Sequence, residues 1–235
     1  MLPASRCVIL VPVASALDPG CDDALRELER RDYAVWRVRG YAAIDAARNQ
    51  MASDALAQHF DELMWIDSDV VFDPDDVDKI RKHKLPLVCV VYPKKACRQL
   101  ACAFLPDTRQ VLFGNRGGLI ELLYCGFGFV HTRRVVYEIM QHELRLPICN
   151  QRFKGLPLIP YFAPVIVGEG EQAWYLAEDY SFCERASRCG FRIMADTSIR
   201  LWHGGTYRYG WEDAGRDVER FANYTFHITD DTTPT

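Results

Sequence analysis

The amino-acid sequence predicts an α/β fold, in which a mainly parallel sheet is covered by helices on both faces. In the first half of the chain, short apolar runs alternate with helical patterns. These runs are continuously apolar, which is typical of strands that are buried on both faces. Alternation of such strands with helices favours a parallel central sheet.

One domain is expected over residues 1–228, with a disordered tail at 229–235, because 235 residues with 49% hydrophobic content supply one large core. Buried strands are predicted at 6–12, 34–38, 62–66 and 87–92. Helices are predicted at 22–31, 44–59 and from 74 to about 83, the last with proline in its first turn.

The second half is less regular. A hairpin is predicted between 110–113 and 119–123, because a glycine-rich turn joins these runs. Further strands are predicted at 126–131, 192–195 and 199–202, and helices at 133–143, 178–189 and 211–223. Gly190 is expected to end its helix in the left-handed conformation, and the proline-rich stretch 147–164 is expected to be a mobile or acceptor-shaping loop.

Composition excludes several classes of function. With a net charge of −4 and a pI of about 5.9, the chain carries no basic surface for nucleic acid. Its apolar run at 7–13 is too short to span a bilayer and lacks a cleavage pattern for secretion. The nine cysteines include no Cys-x-x-Cys pair, so we expect reduced thiols and a cytoplasmic setting.

Two carboxylates follow the third predicted strand, in the segment Trp65-Ile66-Asp67-Ser68-Asp69. In an open α/β sheet, ligands bind at this end of the strands. Two carboxylates this close repel each other unless a cation or a shared proton lies between them. Their hard oxygens suit Mg²⁺ or Mn²⁺, and these ions suit phosphate oxygens. Acidic residues also end strands in ordinary turns, so the pair alone is a weak signal.

A second acidic pair, Glu178 and Asp179, begins a predicted helix. A carboxylate here caps the backbone N–H groups of the first turn, which alone explains its presence. The helix dipole also keeps such a carboxylate ionised, and this suits a base that accepts a proton from a hydroxyl. Both interpretations remain open, and one side chain can serve both roles.

Three further features have a structural and a functional interpretation. His203 follows an apolar run and precedes two glycines, so it is either a buried structural group or a metal ligand. Arg48, on the helix before the acidic strand, either pairs with Asp45 one turn away or binds phosphate oxygens. The segment 125–129, Cys-Gly-Phe-Gly-Phe, is either a bent strand or a backbone surface for a sugar or phosphate.

Taken in order, these segments resemble the GT-A fold of nucleotide-sugar-dependent glycosyltransferases, in particular family-2-like bacterial and phage enzymes. The resemblance extends over about residues 6–205. It is carried by Val8-Ile9-Leu10-Val11-Pro12, Ala47-Arg48-Asn49, the Asp-x-Asp segment, the glycine-rich segment at 125–130 with Arg133-Arg134, Ala177-Glu178-Asp179-Tyr180-Ser181-Phe182-Cys183-Glu184-Arg185-Ala186, and the trailing His203.

This resemblance implies an inverting, metal-dependent transfer of a sugar from a UDP or GDP type donor to a glycan or other hydroxyl acceptor. It implies Asp179, or otherwise Glu178, as the catalytic base, and Mn²⁺ or Mg²⁺ held by Asp67, Asp69 and His203. The residues implied in donor binding are Pro12, Arg39, Arg48, Asn49, Asp67 and Asp69. Those implied in acceptor binding are Gly126, Phe127, Gly128 and Trp174.

Two other functions remain possible on the same residues. The segment 63–71 also resembles the nucleophile strand of haloacid-dehalogenase-like phosphatases, in which Asp67 would be phosphorylated and Asp69 would be the acid/base. That family places this strand first, whereas two strand–helix units precede it here. A non-catalytic nucleotide-sugar binder would keep Asp67 and Asp69 and tolerate loss of Asp179. A sugar-nucleotide pyrophosphorylase would need a glycine-rich segment after Pro12, which is missing.

Overall fold

The structure is a computed structural model that describes residues 1–95, 97–152, 157–205, 207–215 and 223–228. Its helices are α1 (Pro19–Arg30), α2 (Ile44–Ala57), α3 (Pro74–Lys82), α4 (Arg134–Glu143) and α5 (Glu178–Arg188). Its strands are β1 (Cys7–Pro12), β2 (Ala34–Val38), β3 (Glu62–Ile66), β4 (Val70–Val71), β5 (Leu87–Cys89), β6 (Cys102–Phe104), β7 (Gln110–Gly114), β8 (Leu119–Cys125), β9 (Phe129–Arg133), β10 (Val165–Val167), β11 (Trp174–Leu176), β12 (Ile193–Asp196), β13 (Trp202–His203) and β14 (Asn223–His227).

The central sheet has eight strands in the order β2-β1-β3-β9-β5-β12-β8-β6. Strands β9 and β8 run against the other six, as the parallel and antiparallel pairings show. The predicted α/β class with a mainly parallel sheet is therefore confirmed. Insertion of β9 between β3 and β5 places the glycine-rich turn before β9 directly beside the end of β3.

Alternate residues of β3 pack into two cores, one on each face of the sheet. Leu63 and Trp65 belong to a core that includes residues of α2, α4 and α5. Met64 and Ile66 belong to a core that includes residues of α1 and α3. The predicted placement of helices on both faces is confirmed, and burial on both faces explains why β3 is continuously apolar.

The predicted hairpin between 110–113 and 119–123 is wrong. Strand β7 pairs with β14, while β8 pairs with β12 and β6. The glycine-rich turn instead surrounds Thr197, whose backbone bonds Gly114 on one side and Gly118 on the other. A Cβ on Gly117 would lie 2.6 Å from the Thr197 carbonyl, so this turn needs glycine in order to fit around that residue.

Other predictions for the second half need smaller corrections. The strand predicted at 126–131 begins at Phe129, because the preceding glycines turn the chain instead of pairing. A helix is predicted at 211–223, but its first residues form one 3₁₀ turn at Trp211–Ala214. The Gly210 N–H donates to the Asp213 carboxylate and so caps this turn. Residues 216–222 and the predicted tail at 229–235 lie outside the described residues. Gly190 has a φ of 82°, as predicted. No helix in the described ranges has the length and apolarity needed to cross a bilayer.

Candidate active site at the end of strand β3

Arg48 and Asp67 form the buried part of the site. Asp67 follows the last residue of β3, and its N–H donates to the Gly128 carbonyl at 3.0 Å. Arg48 points inward from α2 and is 3% exposed. Its Nη2 donates to Asp67 Oδ1 at 2.9 Å and its Nη1 to the Phe127 carbonyl at 3.2 Å. Of the two predicted roles of Arg48, the surface pair with Asp45 is therefore not formed. The inward ion pair with Asp67 offsets the free-energy cost of burying the guanidinium.

Asp69 lies at the outer, half-exposed part of the same turn. Its Oδ2 accepts a hydrogen bond from Lys95 Nζ at 2.5 Å, and its Oδ1 is 3.5 Å from His203 Nε2. Burial alone would raise the pKa of Asp69, but the bonds from His203 and Lys95 outweigh it and lower the pKa to about 2. Asp69 is therefore an anion at any physiological pH.

His203 reaches this turn through a short pair of strands. Strand β13 pairs with β4 in a register that sets His203 opposite Val70. The ring nitrogen Nδ1 is 2.9 Å from the Pro93 carbonyl, which fixes Nδ1 as the donor and directs Nε2 towards Asp69. Behind it, the Gly204 N–H donates to the Asp69 carbonyl at 2.6 Å. A Cβ on Gly204 would lie 2.4 Å from Asp18 Oδ2, so the glycine permits close approach of these segments.

Glu178 and Asp179 approach from the other side, in the first turn of α5. Glu178 Oε1 is 3.8 Å from Arg48 Nε, a buried atom with no hydrogen-bond partner among the described residues. Asp179 Oδ1 accepts from the N–H of Tyr180 at 2.7 Å, so it bonds the helix start only locally. Burial and the charge of Glu178 raise the pKa of Asp179 to about 6, although Arg48 opposes this. The carboxyl therefore changes protonation near neutral pH, as a proton acceptor requires.

The glycine-rich segment packs around Tyr92. The Tyr92 hydroxyl accepts from the Gly128 N–H at 3.0 Å, and a Cβ on Gly128 would lie 2.4 Å from that hydroxyl oxygen. Gly126 is similarly close to Tyr92, at 2.9 Å for an added Cβ. The Phe127 side chain is 1% exposed and packs edge-on against Trp65. The side chain of Phe127 therefore does not reach the surface at which an acceptor would bind. It is a core residue, because the turn points it away from solvent, and this corrects its implied role in acceptor binding.

The other three residues implied in donor binding, Pro12, Arg39 and Asn49, lie in three different parts of the fold. Pro12 is the last residue of β1, at the same sheet edge as Asp67. Arg39 follows β2 and donates to the Ser15 carbonyl at 3.1 Å across the neighbouring loop. Asn49 is buried, and its Oδ1 accepts from the Phe162 N–H at 2.7 Å. In this position, Asn49 holds the loop at 161–162 against α2.

Trp174, the last residue implied in acceptor binding, is 36% exposed on β11. Its ring packs edge-on against Tyr124 and Tyr180, with centroids 5.5 and 6.1 Å apart. Through its contact with Tyr180, which directly follows Asp179, the indole lies near the start of α5.

Three residues of the site were not predicted from the sequence. Lys95 belongs to a short basic pair that composition alone does not distinguish from a solvated surface. Tyr92 lies at the end of an apolar run, where a core role is the ordinary expectation. Asp18 caps α1 through a 2.8 Å bond from Gly20, and its own N–H donates to the Ser68 carbonyl at 2.8 Å. The Asp18-Pro19 pair is a signal for a helix start, but not for proximity to Ser68.

The donor set predicted for Mn²⁺ or Mg²⁺ is not arranged as a metal site. Among the described ranges, no three His, Cys, Asp or Glu residues are placed to hold an ion together. Asp67 and Asp69 each bond a cationic side chain, Arg48 and Lys95 respectively. The positive charge at this edge of the sheet is thus provided by the protein, and the predicted metal stays a prediction.

Comparisons with known proteins show the fold but no family. No protein-family model matches the chain, and no curated protein matches it. Among solved structures, A197 from STIV superposes with a TM-score of 0.56 at 17% identity, over 98% of this chain and 97% of that one. This similarity shows a shared fold over the whole length.

Two further solved structures align with lower TM-scores. A 1–349 segment of S. aureus TarS is 12% identical over 81% of this chain and 58% of its own, with a TM-score of 0.39. UDP-glucose pyrophosphorylase complexed with UDP-glucose is 8% identical over 85% and 76%, with a TM-score of 0.38. Similarity this low carries no information about function.

Proposed function

We propose that this chain is a glycosyltransferase that moves a sugar from a nucleoside diphosphate donor to an acceptor hydroxyl, with inversion at the anomeric carbon. One observation carries the proposal. Arg48 joins the carboxylate at the end of β3 to the acidic start of α5, through a 2.9 Å bond to Asp67 and a 3.8 Å approach to Glu178. A proton acceptor, Asp179, thus lies beside the sheet edge at which ligands of α/β proteins bind.

Asp179 is the proposed general base. Its carboxylate accepts the proton of the acceptor hydroxyl while the hydroxyl oxygen bonds to the anomeric carbon of the donor. The bond from that carbon to the diphosphate oxygen breaks, and its electron pair leaves with the nucleoside diphosphate. The pKa of Asp179, raised by burial and by Glu178 to about 6, supports this role, since the group is ionised at neutral pH yet still binds a proton readily.

Lys95 is proposed to interact with the departing diphosphate. The ammonium is half-exposed, and its bond to Asp69 holds it at the turn that follows β3. A cation placed where negative charge develops stabilises the transition state more than the ground state. Asp69 then positions Lys95, and His203 Nε2 lies 3.5 Å from the other oxygen of Asp69.

The divalent cation is a separate proposal. Mn²⁺ or Mg²⁺ at Asp69 has to compete with the Lys95 ammonium for the same carboxylate oxygen, which lies 2.5 Å from Nζ. Proton transfer to Asp179 does not depend on the outcome of this competition.

Calorimetric titration tests the proposed function. UDP, UMP, GDP, GMP and 4-nitrophenyl phosphate are titrated into the protein with and without Mn²⁺. We expect one nucleoside diphosphate to bind about tenfold or more tightly than its monophosphate, as each further charged contact contributes roughly that factor. Asp67→Asn should weaken this binding, whereas Asp23→Asn, an exposed substitution on α1, should leave it unchanged.

Two results would favour a different function. Hydrolysis of 4-nitrophenyl phosphate with a phosphorylated Asp67 would favour the phosphatase. Tight binding of a sugar nucleotide that Asp179→Asn leaves unaltered, with no donor hydrolysis or transfer above the rate without protein, would favour a non-catalytic binder.

A further inference from the structure

A cavity of about 690 Å³ lies beside the candidate active site. Its volume falls in the range of small-molecule sites, roughly 300–1,000 Å³. It is bounded by β6, β8, β11 and the end of β14, on the side of Asp179 away from β1 and β2. No step of the proposed donor chemistry uses it.

Two walls of the cavity connect it to the site. Tyr180 lines it, and the N–H of Tyr180 bonds Asp179 at 2.7 Å. Lys94 also lines it and directly precedes Lys95, which bonds Asp69. A molecule in the cavity therefore touches residues next to the proposed base and next to the proposed diphosphate contact.

The cavity changes in character along its length. Near the site it is lined by two aromatic rings, Trp174 and Tyr180, which pack edge-on with centroids 6.1 Å apart. Tyr124, outside the lining, supports them by stacking on Tyr180 at 5.1 Å. Away from the site, Phe104 stacks on Phe226 at 6.2 Å. The apolar residues of the lining include Leu100, Ala103, Phe104, Leu105, Leu123 and Phe226, and polar residues such as Thr108 and Arg109 line it as well.

Strand register fixes the direction of this change. In the pairing of β6 with β8, Cys102 is opposite Cys125, next to the glycine-rich turn of the site, whereas Phe104 is opposite Leu122. The path from Cys102 to Phe104 therefore leads away from Asp179 and into the apolar end.

We propose that this cavity binds the acceptor, and that the acceptor is an amphiphile: a hydroxyl-bearing head at Tyr180 and Trp174 and an apolar body along Phe104 towards Phe226. The inference rests on the proposed function. Aromatic rings at the mouth suit the apolar face of a sugar ring. The lining also includes Thr108 and Arg109, but Phe104, Leu105 and Phe226 present an apolar surface, and burial of an alkyl chain against it is favourable.

Paired glucosides test the proposal with the full chain. Octyl β-D-glucoside, below its micelle concentration, and methyl β-D-glucoside carry the same head, and each is titrated in the presence of saturating UDP or GDP. We expect the octyl compound to bind at least about tenfold more tightly, the factor given by burial of two methylene groups. Equal affinities, or binding of neither compound, would overturn the proposal.

Two cavity variants locate the binding. Ala103→Trp fills the apolar end and Leu105→Glu makes it polar, so each should lower octyl glucoside affinity about tenfold or more. The matched control is Leu112→Glu, at a residue that is 41% exposed on β7 and outside the cavity lining. Circular dichroism checks that each variant is folded. Unchanged affinity in both cavity variants would refute the location.

The two proposals fail in distinguishable ways. If neither UDP nor GDP binds but octyl glucoside does, and Ala103→Trp abolishes that binding, the cavity site stands and the glycosyltransferase does not. If a nucleoside diphosphate binds and both glucosides fail, the acceptor class is wrong while the donor site stands.

Discussion

Replacing the proposed base should make the folded protein more stable at neutral pH. Burial and Glu178 raise the pKa of Asp179 from 3.8 to about 6. Folding therefore favours the protonated carboxyl, and the stability that this gives is lost as the pH rises through about 6. The asparagine introduced by Asp179→Asn does not titrate, and its amide oxygen still accepts the bond from Tyr180.

The size of this effect follows from the difference of about two units between those two pKa values. At about 1.4 kcal/mol per unit, Asp179→Asn should raise the free energy of unfolding by about 3 kcal/mol at pH 8. At pH 4.5, where the folded protein keeps the proton and only the unfolded chain is ionised, the gain should be only about 1 kcal/mol.

Urea unfolding at both pH values measures this difference. The matched control is Asp23→Asn, which removes an exposed carboxylate from α1 and should change the free energy of unfolding little at either pH. A variant Asp179→Asn that is no more stable than the wild type at pH 8, or equally stabilised at both pH values, would refute the argument that this carboxyl is held in an unfavourable ionised state.

Three further predictions concern rate, packing and metal. The kcat/KM for donor turnover should rise with pH through about 6 as Asp179 loses its proton, and a flat profile between pH 5 and 8 would contradict its role as base. Gly204→Ala should lower the free energy of unfolding by about 1–3 kcal/mol, since its Cβ would lie 2.4 Å from a carboxylate oxygen of Asp18. The control is Gly205→Ala, whose added Cβ has its nearest contact 3.7 Å away. Equal thermal midpoints of the two variants would count against this close approach. The Lys95→Ala variant should bind Mn²⁺ more tightly than the wild type, because the ammonium no longer competes with the ion for the Asp69 carboxylate. The control variant Lys94→Ala should bind Mn²⁺ as the wild type does. Equal Mn²⁺ affinities of Lys95→Ala and the wild type in a titration would disprove the competition.

The first half of the fold follows from local patterns, and the predicted strands there match β1, β2, β3 and β5 within a few residues. Strand β5 and most of β1 are continuously apolar because both faces of each strand are buried, and α1 and α3 each begin with an aspartate cap followed by proline. These are properties of neighbouring residues, so sequence alone contains them.

Pairing in the second half depends on distant residues and was not predictable in the same way. The turn before β8 looks like a hairpin turn, but it surrounds Thr197, about 80 residues further along the chain. Similarly, β9 leaves its sequence neighbours and inserts between β3 and β5. Strand partners of this kind depend on how the whole sheet assembles, which no short pattern encodes.

The candidate site shows the same division. The positions of Asp67 and Asp69 follow from the end of an apolar run, and the structure brings Arg48 and His203 to them as the order of motifs implied. Lys95 has no such signal, because its contact with Asp69 arises from a loop that folds back over the sheet edge. The core position of Phe127 was also hidden, since glycines on both sides leave the direction of its side chain open.

The proposed function requires that the end of β3 binds the diphosphate of a nucleotide donor. A crystal structure of the protein with bound UDP or GDP tests it most directly. We predict diphosphate oxygens within hydrogen-bonding distance of Lys95, with the nucleoside over the ends of β1 and β2. A nucleotide bound elsewhere, with the Asp67–Arg48 and Asp69–Lys95 pairs undisturbed and remote from it, would contradict the account.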